Sequence, residues 1–197
     1  MNTQSNSKFI YHRVNTLQKL QETDKNFGVE VDIRFSGKKF FLSHDCNYVD
    51  SDLYTFLSKF EHKLLVANIK VVGIEKEFIK IMEKYEIDNF FLLDVEPSFL
   101  IHNYKDYKKN LCIRYSYLET IQLAKDFIDK VDWLWIDTYN KVKLEPEIFK
   151  NFKTCLVSPS RWDKKKDIEY YKNEFTKNEF WPDFIMIEKG EEKLWNI

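Results

Sequence analysis

Short apolar runs, rich in β-branched and aromatic residues and bounded by polar ones, recur along the whole chain at residues 9–12, 29–34, 64–70, 90–94, 111–114, 133–137, 154–157 and 184–187. Each is too short for a buried helix and has the composition of a strand covered on both faces. Between them lie segments of helical length at 17–25, 53–60, 75–85, 99–108, 118–130, 146–152 and 164–176. In the third, Phe78, Ile81, Met82 and Tyr85 fall at three- and four-residue steps and draw an apolar stripe along one side. Pro97 and Pro146 suit first helical turns. The alternation breaks once, between Arg34 and His44, where Ser36, Gly37 and Lys38 read as a turn and residues 40–43 as a second, hairpin-like strand.

Strands alternating with helices predict a parallel sheet, and the count of eight predicts closure into a compact, single-domain α/β (β/α)8 TIM barrel. The structural rival is an open, doubly wound sheet, which uses fewer strands and a glycine-rich first turn. Gly28, Gly37, Gly73 and Gly190 are too scattered for that turn or for any phosphate-cradling loop, which leaves nucleotide cofactors without support. At 197 residues the chain stands at the bottom of the barrel range of about 200 to 400. Its loops must therefore be short, and the helix after the last strand, where only residues 188–197 remain, should be vestigial.

Composition narrows the function. With 44% hydrophobic and 17% aromatic residues the chain can bury one substantial core. A net charge of −1, built from dense charges of both signs, lacks the footprint of a general nucleic-acid binder. The first residues, MNTQSNSKF, carry no apolar secretion signal, and no run of about 18 apolar residues offers an integral membrane segment. The expectation is a soluble, cytoplasmic protein. Cys46, Cys112 and Cys155 have no metal-type spacing, and two of them fall in apolar runs where a buried free thiol is ordinary.

In a barrel the chemistry sits where strands end. There the chain carries His12 and Arg13; Glu30, Asp32 and Arg34; Asn68 and Lys70; Asp94; Arg114 and Ser116; Asp137; Ser158; and Glu188 and Lys189. Only four residues are arginine, Arg13, Arg34, Arg114 and Arg161, and all fall at or just beyond a strand's carboxyl end. Such a concentration of guanidinium forks suits either an anionic ligand or salt bridges to rim carboxylates. Strand alternation puts Glu30, Asp32 and Arg34 on one face and Val29, Val31 and Ile33 on the other. Two acids buried on one face call for a cation, which is either a hard divalent metal, Mg²⁺ or Ca²⁺, or the neighbouring Lys70 and Arg34.

His12 and His44, each beside a charged residue at one rim, form a candidate acid–base pair. His62 and His102 read as structural or solvated. Lys70 can pair with a phosphate oxygen, neutralise a metal ligand, or form a Schiff base if desolvated. Trp133, Leu134 and Trp135 read as core packing, and Lys108, Lys109 and residues 164–166 as solvated helix ends.

In this order the motifs His12-Arg13, Gly28-Val29-Glu30-Val31-Asp32, Ser43-His44-Asp45 and Asn68-Ile69-Lys70 resemble the glycerophosphodiester phosphodiesterase-like family. That family sits within a broader group of barrel phosphodiesterases that includes phosphatidylinositol-specific phospholipase C. The match covers residues 9 to 70; the later strands agree in number and spacing only. The resemblance implies that His12 and His44 are the general acid and base and that Arg13 binds phosphate. It further implies that Glu30 and Asp32 hold a divalent metal with Lys70 near the phosphoryl group.

Two departures from the family pattern stand out. Val14 replaces the glycine after His-Arg, in a shortened loop before Asn15 and Thr16, and Asn68 stands where the third metal-binding glutamate is expected. An amide oxygen still ligates a hard cation but brings no charge, and Asp94, closing the next strand, is the candidate replacement. The expected function is a metal-dependent phosphodiester hydrolase acting on a small-molecule or head-group phosphodiester, with Arg13, Lys70 and Arg114 on the phosphate. Two rivals are a barrel without activity that binds a phosphate or sugar-phosphate, and a Lys70 Schiff-base lyase.

Overall fold

The computed structural model describes residues 8–195. The polar stretch ahead of Lys8, which carries the expectation of no secretion signal, lies outside the described residues. The strands are β1 (Lys8–Tyr11), β2 (Gly28–Ser36), β3 (Lys39–Leu42), β4 (Ser51–Asp52), β5 (Leu64–Ile69), β6 (Phe90–Leu93), β7 (Cys112–Tyr115), β8 (Trp133–Ile136), β9 (Lys153–Val157) and β10 (Phe184–Ile187). The helices are α1 (Leu17–Glu22), α2 (Leu53–Leu57), α3 (Glu75–Lys84), α4 (Pro97–Tyr107), α5 (Ile121–Asp126), α6 (Pro146–Phe149), α7 (Asp167–Lys177) and α8 (Glu192–Trp195). Each of the eight apolar runs is a strand, and the last helix is a single turn.

These eight strands pair in parallel in the order β6-β5-β2-β1-β10-β9-β8-β7. β3 and β4 extend the end of β2 as an antiparallel hairpin. Its turn places Gly37 and Lys38 at φ of 57° and 67°, the pair of left-handed residues that a two-residue type I′ connection requires. The sheet curls until its two ends meet, but a continuous ladder around all eight strands is not formed. β6 and the residue just ahead of β7 share one isolated parallel bridge, Leu92 to Leu111. Directly after β6, Asp94 takes a left-handed conformation (φ 59°) and turns the chain out of the sheet before more bonds can form.

Alternation sorts the strand residues into two layers. Val29, Val31, Ile33, Leu65, Ala67 and Ile69 face outward and pack with the helices, including Phe78 and Met82 of the predicted α3 stripe. Ile10, Leu64, Val66, Phe91, Cys112, Trp133, Trp135, Cys155, Phe184 and Met186 fill the inside of the curl. Phe91 stacks on Trp133 at 4.4 Å between centroids, which plugs the amino-terminal end with ring surface. Gly28 belongs to this crowded layer, because a Cβ there would meet Ile10 Cγ1 at 2.9 Å. The interior is thus solid below, and the site is confined to the carboxyl ends. Among the described residues no helix is long and apolar enough to cross a membrane.

Candidate active site

The inner layer turns polar two residues above its apolar part. Ile10 leads to His12, Gly28 to Glu30 and Asp32, Val66 to Asn68, Cys112 to Arg114, Trp135 to Asp137, and Met186 to Glu188. Strand parity therefore aims these side chains at one place. They surround a cavity of about 140 Å³ lined by His12, Arg13, Glu30, Asn68, Arg114, Asp137, Arg161 and Trp162, with Leu93, Trp135, Val157 and Met186 as its floor.

Glu30 and Asp32 are each 1% exposed. Arg13 reaches a left-handed conformation (φ 52°) at the end of β1, and its backbone N–H donates to Glu30 Oε2 at 2.8 Å. Asn68 Nδ2 donates to Glu30 Oε1 at 3.0 Å. Burial, and then the charge of Asp32, push the Glu30 carboxyl above the usual carboxylate range. Asp32 moves the other way. Burial raises it too, but the Asn15 amide (2.8 Å) and the Lys70 ammonium (3.1 Å) outweigh that and hold it low. Asn15 Oδ1 also accepts the Asp32 backbone N–H at 2.8 Å, so Asn15 clamps this residue at both ends.

The two histidines are held differently. His12 Nδ1 lies 2.8 Å from Glu188 Oε1, and the bond from His12 lowers the Glu188 pKa against the effect of burial. A carboxylate at Nδ1 orients the ring toward the cavity and leaves Nε2 for chemistry. His44 Nε2 instead lies 2.7 Å from Arg13 Nη2. Guanidinium has no acceptor, so His44 Nε2 is the acceptor and its proton sits on Nδ1, facing Asp32 Oδ1 at 3.5 Å. Arg34 pins this loop by donating to the carbonyls of Ser43 (3.0 Å) and His44 (2.7 Å). Arg114 pairs with Asp94 and, at 2.6 Å, with Asp137. Arg161 lies over the Trp162 ring and 3.8 Å from Glu188.

The nine predicted site residues thus fall into two groups. The structure brings His12, Arg13, Glu30, Asp32, His44, Asn68, Lys70 and Arg114 to one rim, whereas Asp94 is drawn to Arg114 at the outer edge. The fourth rim arginine, Arg34, supports the His44 loop rather than the cavity. Among the described residues no three of His, Cys, Asp and Glu group as around a metal ion. The fit to a hard cation rests on a different observation. Asn68 Oδ1 is buried and has no hydrogen-bond partner, while its own amide nitrogen touches Glu30. A bare oxygen beside a carboxylate whose negative form is disfavoured suits a divalent, oxygen-seeking ion. Two carboxylates and one amide oxygen are a donor set of that kind.

Glu188, Asp137 and Asn15 carry contacts that sequence reasoning left without a role. The signal for the first two was parity: each lies two residues above an inward tryptophan or methionine. Asn15 had none. His62 is buried on the Thr23 carbonyl (3.1 Å) and His102 lies in α4, away from the cavity, as expected. Cys112 and Cys155 are buried free thiols and Cys46 is exposed.

No protein-family model and no curated protein matches this sequence. Solved structures do. A glycerophosphodiester phosphodiesterase from Agrobacterium tumefaciens str. C58 superposes with a TM-score of 0.60 at 10% identity, over 92% of this chain and 95% of that one. A glycerophosphoryl diester phosphodiesterase from Parabacteroides distasonis ATCC 8503 gives 0.62 at 12% identity, over 94% and 84%. The chain shares the fold of these phosphodiesterases along nearly its whole length, as the motif resemblance implied.

Proposed function

We propose that this protein hydrolyses phosphodiesters of small-molecule or head-group type, on a barrel whose seam between β6 and β7 is held by packing. The observation that carries the reading is the meeting of three of the chain's four arginines, a carboxylate-oriented histidine and the buried acid Glu30 on one cavity. The fold shared with known phosphodiesterases supports it.

In this reading Arg13, Arg114 and Lys70 neutralise the phosphoryl oxygens. His12, steadied by Glu188, moves a proton at Nε2 for the attacking or the departing oxygen. Arg13 releases His44 when its guanidinium turns to phosphate, and the freed Nε2 serves the opposite proton transfer. Substrate arrival thereby switches on the second histidine. Glu30, Asp32 and Asn68 would hold Mg²⁺ or Ca²⁺, which when bound supplies positive charge to the phosphoryl oxygens. Asp94 stays with Arg114 in this arrangement.

The test is release of glycerol phosphate from glycerophosphocholine in Mg²⁺ or Ca²⁺, with EDTA as control. Turnover abolished by chelation supports the whole reading, and turnover unaffected by chelation removes the metal. No turnover, with calorimetric binding of phosphate, favours the ligand-binding alternative, for which Asn68 in place of a carboxylate is the specific observation. A Lys70 Schiff base finds less support, since the ammonium is spent on Asp32.

A further inference from the structure

At the opposite end of the strands from the polar cavity, outside the plug of rings, lies a pit of about 370 Å³ whose lining includes Lys8, Trp133, Lys153, Trp181, Asp183 and Phe184. Four of these open strands: Lys8 is the first residue of β1, Trp133 of β8, Lys153 of β9 and Phe184 of β10. Lys8 and Lys153 lie two residues below Ile10 and Cys155 of the inner layer, so the two-residue period turns both side chains inward rather than toward the helices. Lateral register completes the arrangement. Lys8 pairs with Phe184 and Lys153 with Trp133, and each ammonium lies over its neighbour's ring, at 5.8 Å and 5.3 Å from the centroid.

A ring face steadies a lysine without neutralising it. Among the described residues no carboxylate pairs with either ammonium, the lysine ion pairs all lying elsewhere. Asp183, the acid in the lining, is committed to β9: its Oδ2 accepts the backbone N–H of Thr154 at 2.7 Å and the Thr154 hydroxyl at 3.0 Å. Trp181 adds a spare donor. Its ring packs on Phe175 at 5.0 Å, and its indole N–H is buried and meets no acceptor. An N–H left in that state costs stability that an incoming acceptor restores. Two unpaired cations, an unused donor and walls of ring surface are complementary to a flat, acceptor-rich ligand. We infer that this pit is a second ligand site, taking a small organic anion built on an aromatic ring, with the anionic group between Lys8 and Lys153 and the ring against Trp181 and Pro182. Its volume falls in the range of about 300 to 1,000 Å³ usual for small-molecule sites. The inference goes beyond the phosphodiesterase reading and is independent of it, since no residue lining the pit lines the polar cavity.

Calorimetry on the full chain tests this with 2-naphthoate and 2-naphthyl phosphate, which carry both ring and charge. The controls are 2-naphthalenemethanol, a ring without charge, and acetate, a charge without a ring. At least one naphthyl anion should bind with a Kd about tenfold or more below both controls, and the tighter of the two identifies the anionic group as carboxylate or phosphate. Replacing both exposed lysines together, Lys8→Gln with Lys153→Gln, should weaken that binding about tenfold or more, whereas Arg161→Gln at the polar cavity should leave it unchanged. Folding is checked by circular dichroism. If the double variant is misfolded, Trp181→Phe, which keeps a ring against Phe175 and removes the N–H, carries the same test with the same expected loss. No binding of either naphthyl anion, a control that binds as tightly, or an unchanged Kd in the folded variant overturns the pit. So does a loss in Arg161→Gln that the pit variant does not share, which would place the anion in the polar cavity instead.

Discussion

The two sides of the cavity follow opposite electrostatic plans. On the β2–β5 side, two acids stripped of water are locked by neighbours from the same few strands: Asn15 and Lys70 on Asp32, Arg13 and Asn68 on Glu30. On the β7–β10 side, cations and rings face the cavity, and the acids Asp137 and Glu188 act as anchors behind Arg114 and His12. The first side attracts a cation and the second an anion. The phosphodiester and divalent ion of the proposed function would together satisfy both.

That contrast is broken most sharply through the histidines. His12→Ala should lower kcat by about 10² to 10⁴ if it transfers a proton, measured on glycerophosphocholine at saturating substrate; a rate within twofold of the parent would remove His12 from the chemistry. Next comes stability. Asp32→Ala strands the Lys70 ammonium and the Asn15 amide, and urea unfolding should show a loss of about 3 kcal/mol. On the other side Arg161→Gln, at a partly open position, should fall within about 0.5 kcal/mol of the parent. Comparable losses at both would erase the distinction between a locked and a solvated half.

Glu188→Gln should reduce kcat about tenfold by freeing the His12 ring and should alter the acid limb of stability. The Glu188 pKa is lowered in the fold, so its contact with His12 stabilises above the unfolded carboxyl value of about 4.3 and is lost as pH falls through the folded value. The gap in unfolding free energy between parent and variant should therefore narrow below about pH 4. A constant gap across pH 3 to 7 in roughly matched buffers would mean that the contact is not ionic. The smallest effect has the opposite sign. Glu30 is raised by burial, so its charge opposes folding above about pH 4.3. Glu30→Gln, which lets the Asn68 amide turn and present Oδ1 to the new amide, should raise Tm by a few degrees near pH 7 without divalent ions. The advantage should vanish in acid and reverse with added Mg²⁺ or Ca²⁺.

What was legible in the chain follows the same division. The acid half carries its residues as close-set motifs, so Glu30, Asp32, His44 and Lys70 stood out together. The basic half contributes one polar residue per strand, spread over the second half of the chain, and Glu188 gained a role only through its contact with His12, 176 residues away. Some helices are shorter than the segments the pattern predicts, α1, α2, α5 and α6 among them. The segment expected at 118–130 is helical only over Ile121–Asp126; at its start the Ser116 hydroxyl accepts the N–H groups of Leu118 and Glu119 and holds a turn. The left-handed turn at Asp94, which sends its carboxylate to Arg114 and opens the seam, had no signature in local composition.

By itself the sequence determined the eight strands, their alternation with helices, and the parity that puts acids, histidines and arginines at one rim. These are local properties, set by a two-residue period and by where apolar runs stop. Only the tertiary structure decided which polar atoms meet: His12 with Glu188, Arg13 with His44, and Asp94 with Arg114 rather than with Glu30. It also decided that the sheet's ends would touch at one bridge. Such pairings depend on how far the sheet curls and in what register its ends arrive, which is a sum over all the strands and is encoded in none of them singly.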